Sequence, residues 1–165
     1  MKGLKRTNSS GRRRENMMKS KTAEEYIEVI YALQQKHGHV HTNDLALTLG
    51  VAPPSVTEML QKLADGNLVN YVPYRGVTLT KDGDKMAREL MKKHNTLAEF
   101  LEIIGVKRED AEIDACQIEH HVSSQTMKQL NKFVEFVREA PQDPKWLAHF
   151  KQYSKTGRRP RCDRK

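Results

Sequence analysis

The chain has 165 residues, 37% of them hydrophobic and 30% charged, and a formal net charge of +8. That length suits one compact domain or two small ones sharing a core, and no run approaches the roughly 18 apolar residues a bilayer-spanning helix needs. The basic first residues lack the apolar centre of a secretory signal, and two cysteines, Cys116 and Cys162, cannot supply a disulfide framework; a cytoplasmic protein with no membrane partner is expected.

The positive charge is concentrated at the ends. Residues 1–21 carry +7 and residues 155–165 carry +5, so the 133 residues between them hold −4. Tails this basic either touch phosphates through counterion release or are solvated ends. Nucleic-acid binding therefore has to be argued from pattern.

Thr22 and Glu25 have the spacing of a capping box, which predicts that a helix starts there. Ile27, Ile30, Tyr31 and Leu33 then recur at helical spacing until Gly38 stops the run. Thr42 is the expected cap of a short helix over 43–49, in which Leu45, Ala46 and Leu49 share a face and Asp44 points to solvent. Gly50 permits a tight turn, and Pro53 and Pro54 suit the first turn of a new helix, where a missing amide costs nothing. That helix runs to about Asp65 with Val56, Met59, Leu60 and Leu63 as its apolar stripe. Short helix, tight turn and second helix match a helix-turn-helix. Residues 68–74 and 76–79 read as two strands around Tyr74-Arg75-Gly76, a hairpin in the position of a wing.

Pro54, Ser55, Thr57 and Gln61 are the candidates for contact with a DNA groove, because small polar side chains leave room for base edges and phosphates. Arg75 in the wing is the candidate for a phosphate. Winged helices also serve protein contacts, and that use stays open at this point.

From Lys81 the pattern is helical to Ile104, where Gly105 ends it, and further helices are expected over 108–121 and 124–139. Met127, Leu130, Val134 and Val137, with Phe133 and Phe136 beside them, give the last of these more apolar surface than one small core absorbs, which predicts a homodimer. Trp146, Leu147 and Phe150 suggest a short docking helix over 144–153. The expected fold is mainly α: an N-terminal winged helix-turn-helix over 22–80 and a C-terminal helical metal-binding and dimerisation domain over 81–141. The basic tail 1–21 precedes them, and a short helix with a second basic tail fills 142–165.

The sharpest chemical signal is Cys116-Gln117-Ile118-Glu119-His120-His121. On a helix Cys116, Glu119 and His120 stand at i, i+3 and i+4, so a thiol, a carboxylate and an imidazole leave one face. A transition ion needs roughly four to six donors, and this mixture of sulfur, nitrogen and oxygen suits first-row divalent metals. Two further groups are candidates to complete the shell. Glu25 and Glu28 lie one turn apart on the first helix, although capping and a solvated face would also account for them. His94 interrupts the apolar stripe Leu90, Leu97, Leu101 and so is expected to point inward. Glu112 and Glu99 fit the pattern less well, and His121 is expected at the edge of the site or on the surface.

Several runs taken together carry a resemblance. EEYIEVIYAL over 24–33, the helix-turn-helix TNDLALTLGVAPPSVTEMLQKL, the wing YRGVTLT, the stretch KKHNTLAEFLEIIGV and above all DACQIEHHVS resemble the metal-dependent repressors of the DtxR/MntR family, across about residues 22 to 140. The resemblance implies a homodimeric winged-helix repressor of metal-homeostasis genes that binds double-stranded operator DNA when loaded with a divalent ion. It implies Glu25, Glu28, His94, Cys116, Glu119 and His120 as metal ligands. Length and the IIGV and IEHH runs resemble the manganese-responsive branch, which usually has a carboxylate where Cys116 stands; cysteine there resembles the iron-responsive branch. The implied ion is Fe2+ or Mn2+, and sulfur softens the site toward Fe2+, Co2+, Ni2+ or Zn2+. Ala98 stands where a second iron-branch site would have glutamate, which argues against that site.

Two other classes are consistent with the residues alone. One is a metal-independent winged-helix regulator with Cys116 as a redox-sensing thiol. The other is an enzyme using Cys116 and His120 as nucleophile and base; no oxyanion site or substrate cleft is evident beside two residues four apart on one helix, so no enzyme is expected.

Overall fold

The computed structural model describes residues 20–140 and 144–160. The basic stretch 1–19, residues 141–143 and residues 161–165 with Cys162 lie outside them, so nearly all of the first basic tail and about half of the second fall there. The elements in chain order are α1 (Lys21–His37), α2 (Thr42–Leu49), α3 (Pro53–Asp65), β1 (Val69–Val72), β2 (Gly76–Leu79), α4 (Lys81–Ile103), α5 (Arg108–Ile118), α6 (Ser124–Arg138) and α7 (Lys145–Thr156). The mainly helical class and the winged helix-turn-helix are as expected. The chain divides into a unit ending at Met91 and a second beginning at Lys92, and α4 runs across the division.

In the first unit the predicted apolar stripes become one core. Ile27 and Ile30 of α1, Leu45 of α2, Val56, Leu60 and Leu63 of α3, Leu68, Val77 and Leu90 are all buried in it. β1 and β2 form an antiparallel hairpin with Val69 opposite Leu79 and Val72 opposite Gly76. A further bridge pairs Val40, between α1 and α2, with Val77, so the wing is tied to the helices through backbone as well as side chains. Gly83 allows α4 to start close against this unit: a Cβ there would stand 2.0 Å from the Leu68 carbonyl oxygen.

Three local expectations change. The cap of α1 is Ser20, whose hydroxyl oxygen accepts from the Ala23 amide at 3.3 Å; Thr22 already lies inside the helix, and Glu25 instead meets Lys21 at 3.7 Å. α2 begins at Thr42 with His41 in the cap position, and Asp44 turns back to accept from the His41 amide at 3.2 Å. The first strand stops at Val72 rather than Tyr74, because Pro73 has no amide to give the ladder and Tyr74 takes a φ of 66° in the turn.

In the second unit Leu97 and Ala98 of α4 pack with Ala115 of α5 and Met127 of α6. Thr96 donates to the Asn131 side-chain oxygen at 2.7 Å, which joins α4 to α6. Arg138 of α6 pairs with Glu99, and Phe133 stands between Phe100 and Trp146, with ring centroids 5.7 and 5.8 Å away. α5 ends at Ile118 rather than His121. The His121 amide bonds to the Ile118 carbonyl at 2.9 Å, a tightened last turn, because Ser123 must already be extended to cap α6 through the Thr126 amide.

Candidate metal centre and DNA-binding surface

Each unit carries part of the predicted chemistry. In the second unit the buried stripe of α5 is Ala111, Ala115 and Glu119, four residues apart. Two alanines followed by a carboxylate make a stripe that is narrow until its last position, where Glu119 is 1% exposed. Isolated burial of a carboxylate is costly, and here imidazoles meet it on two sides. His94 brings Nδ1 to 3.3 Å from Glu119 Oε2, and His120 brings Nε2 to 3.6 Å from Glu119 Oε1, with the His120 side chain also 1% exposed. His94 is inward-facing, as its place in the α4 stripe predicted. Its other nitrogen, Nε2, lies 2.8 Å from Glu112, which Arg108 approaches at 3.9 Å.

Cys116 differs from this group. It follows Ala115 by one residue, about 100° around the helix, and is exposed, whereas Glu119 and the His120 side chain are buried. The face predicted for thiol, carboxylate and imidazole is thus split by burial, with the thiol at its exposed edge. Glu112, given less weight from the sequence, proves to be the neighbour of His94; it precedes Glu119 by seven residues, two helical turns, and that spacing was the available signal. Glu99 is engaged by Arg138. In the first unit Glu25 and Glu28 sit one turn apart on α1, both half-buried.

These donors suit a divalent transition ion. Two imidazoles around a buried carboxylate offer nitrogen and oxygen without bulk water, and further carboxylates supply the negative charge such ions require.

The first unit also presents the DNA-facing candidates. Pro54, Ser55 and Gln61 on α3 and Arg75 in the wing turn are exposed, while Thr57 is half-buried and donates its hydroxyl to the Pro53 carbonyl at 3.2 Å. A groove of about 500 Å³ separates the start of α2, Thr57 and the wing, lined among others by Asn43, Tyr71 and Tyr74. Tyr74 stands wholly out in solvent beside Arg75, an exposed aromatic that its place in the Tyr74-Arg75-Gly76 turn does not by itself reveal.

Both parts of the chain match models of one repressor family. Residues 18–77 match the model of the iron dependent repressor N-terminal DNA binding domain, and residues 80–147 match the iron dependent repressor metal binding and dimerisation domain. The chain belongs to this family. It is a metal-dependent, DNA-binding transcriptional repressor of the DtxR/MntR type, with a divalent metal as cofactor and operator DNA and a second copy of itself as partners. The HTH-type transcriptional regulator MntR of Lysinibacillus sphaericus (strain C3-41) is 41% identical over 125 residues, 75% of this chain and 89% of that protein. Its counterpart in Bacillus subtilis (strain 168) is 38% identical over 122 residues, 74% of this chain and 86% of that one. A manganese-dependent transcriptional repressor solved with manganese superposes with a TM-score of 0.63 at 30% identity, covering 69% of this repressor and 53% of that chain. This repressor thus spans about half the length of that solved structure. Among its described residues no helix is long and apolar enough to cross a membrane.

Proposed function

We propose that this protein is a cytoplasmic iron(II)- or manganese(II)-responsive repressor of metal-homeostasis genes, acting by binding rather than by catalysis. The observation that carries this reading is the buried Glu119 carboxylate between the His94 and His120 imidazoles. These three would form the core of the ion's shell, Glu25 and Glu28 would add carboxylates from α1, and Cys116 a thiolate. The bound ion would neutralise the clustered carboxylates and link the helix that supports the DNA-binding unit to the dimerisation unit.

Within the chain's own residues the roles divide by chemistry. Glu112 at His94 Nε2 fixes the ring so that Nδ1 faces Glu119, the orienting contact that a ligating histidine usually has. The narrow Ala111-Ala115 stripe lets α5 approach closely and keeps water away from Glu119. Ser55 and Gln61 would read base edges while Arg75 holds a phosphate, and a dimer would set two such surfaces about 34 Å apart on a two-fold-related operator.

Choice of ion follows the donors. The buried set is nitrogen and oxygen, which accommodates manganese(II), the ion named for the related repressor complex; recruitment of the Cys116 thiolate would shift preference toward iron(II). Anaerobic titration of the apo protein with each ion, comparing the natural chain with Glu119→Ala and Cys116→Ser, tests this. Glu119→Ala is expected to lose binding of both ions, and Cys116→Ser to weaken iron(II) more than manganese(II). Unchanged binding by Glu119→Ala would remove the proposed ligand set.

A further inference from the structure

The last helix carries an aromatic and cationic face outside the metal centre and the helix-turn-helix. Most of α7 lies beyond residue 147, where the match to the metal binding and dimerisation domain ends. Leu147 is buried and anchors the helix, and the Trp146 ring stands against Phe133 of α6. Trp146, His149, Phe150 and Tyr153 follow at i, i+3, i+4 and i+7, so they form one stripe; Trp146, Phe150 and Tyr153 in it remain 42%, 38% and 50% exposed. Gly157 then turns the chain in the left-handed conformation, with φ at 66°, its amide donating to the Tyr153 carbonyl at 2.8 Å. That turn brings Arg159 back to the stripe, and the five side chains line one cavity of about 430 Å³. Residues 144–160 also include Lys145, Lys151, Lys155 and Arg158 and hold no aspartate or glutamate.

An occupant that complements this groove carries negative charge and flat apolar faces. A second α7 would set like charges against each other, which opposes association. A lipid surface calls for a continuous apolar face, whereas here Leu147 is turned inward and Arg159 closes the stripe. Single-stranded nucleic acid has both features, a phosphate backbone for the cations and unstacked bases whose faces stack on aromatic rings. A duplex keeps its bases stacked and presents only edges and phosphates. We infer that this groove binds single-stranded nucleic acid, with Phe150 and Tyr153 stacking bases beside Trp146 and Arg159 pairing with the backbone. Stacking of this kind tolerates any base, so the repressor gains a partner taken without regard to sequence, besides its duplex operator.

Trp146 is the only tryptophan in the chain, so its fluorescence reports on this groove rather than on the basic tails or the helix-turn-helix. The full chain is titrated with short oligo(dT), with oligo(U) and with a duplex of equal length lacking the operator. Both single strands should quench Trp146, and the tighter of the two names DNA or RNA as the strand. Phe150→Ala/Tyr153→Ala should weaken their binding about tenfold or more while metal-dependent operator binding stays at its natural strength. Arg159→Ala should reduce the slope of log affinity against log salt by about 0.7. Glu119→Ala should keep the quenching, which separates failure here from failure of the proposed metal site. No quenching by either strand overturns the inference, and so does equal quenching by the duplex. A response of Trp146 to polyglutamate as strong as to the strands would make the partner an acidic protein. A changed oligomeric state of Phe150→Ala/Tyr153→Ala in ultracentrifugation would make the face a contact between copies, and either result also overturns the inference.

Discussion

Glu112 and Tyr26 show how single side chains report on the two units. If Glu112 orients His94 through Nε2, Glu112→Gln should lower metal affinity about 10- to 100-fold while leaving the thermal midpoint of the apo protein near its natural value; chelator competition measures the first and calorimetry the second. Burial raises the Tyr26 hydroxyl above its ordinary value of 10.0. The folded state then holds the proton more tightly than the unfolded chain, so this contribution is complete below pH 10 and is lost as pH climbs toward the raised value. Tyr26→Phe should flatten the alkaline fall in urea midpoint, and a fall as steep as in the natural protein would contradict it. At this scale the inward turn of His94 was legible, because a polar residue inside the stripe Leu90, Leu97, Leu101 has only one direction to face. The exposure of Cys116 beside a buried Glu119 was not: spacings of three and four put both near one face, and only the packed Ala111-Ala115-Glu119 line shows which edge of that face the core takes.

Helices were the most readable elements, since each apolar stripe met a glycine or a cap within a residue or two of its observed end. Caps were harder. Ser20 and Thr22 are both competent hydroxyls, and the choice between them depends on where the preceding chain becomes extended. The Val40 to Val77 bridge could not be read at all, because one residue pair far apart in sequence leaves no periodic trace. Two substitutions test the packing. Leu60→Ala in the fully buried stripe of α3 should cost about 2–5 kcal/mol, read as a shift in denaturant midpoint. Gly83→Ala would push a Cβ into the Leu68 carbonyl and should cost about 3 kcal/mol or more; a midpoint within error of the natural chain would show that α4 does not start as tightly as described.

For the molecule as a whole, the family resemblance rested on five runs in order, and the two domain matches over 18–77 and 80–147 cover the same ground. Net charge was a poorer guide, because the basic residues gather in the tails and most of those lie outside the described residues. Arg75→Ala should weaken operator binding about evenly across sequences and reduce the slope of log affinity against log salt by about one; an unchanged slope would take the wing off the phosphate backbone. Metal affinity should rise with pH, since ions displace protons from their ligands, and a flat profile would argue against titratable donors. The central claim is that an ion at the Glu119 cluster favours the DNA-binding arrangement, and the direct measurement is fluorescence anisotropy of a labelled operator titrated with apo and manganese(II)-loaded protein. Loading should tighten binding about 5- to 150-fold in the natural chain and leave Glu119→Ala unaffected. Equal affinity of the apo and loaded natural protein would contradict the account.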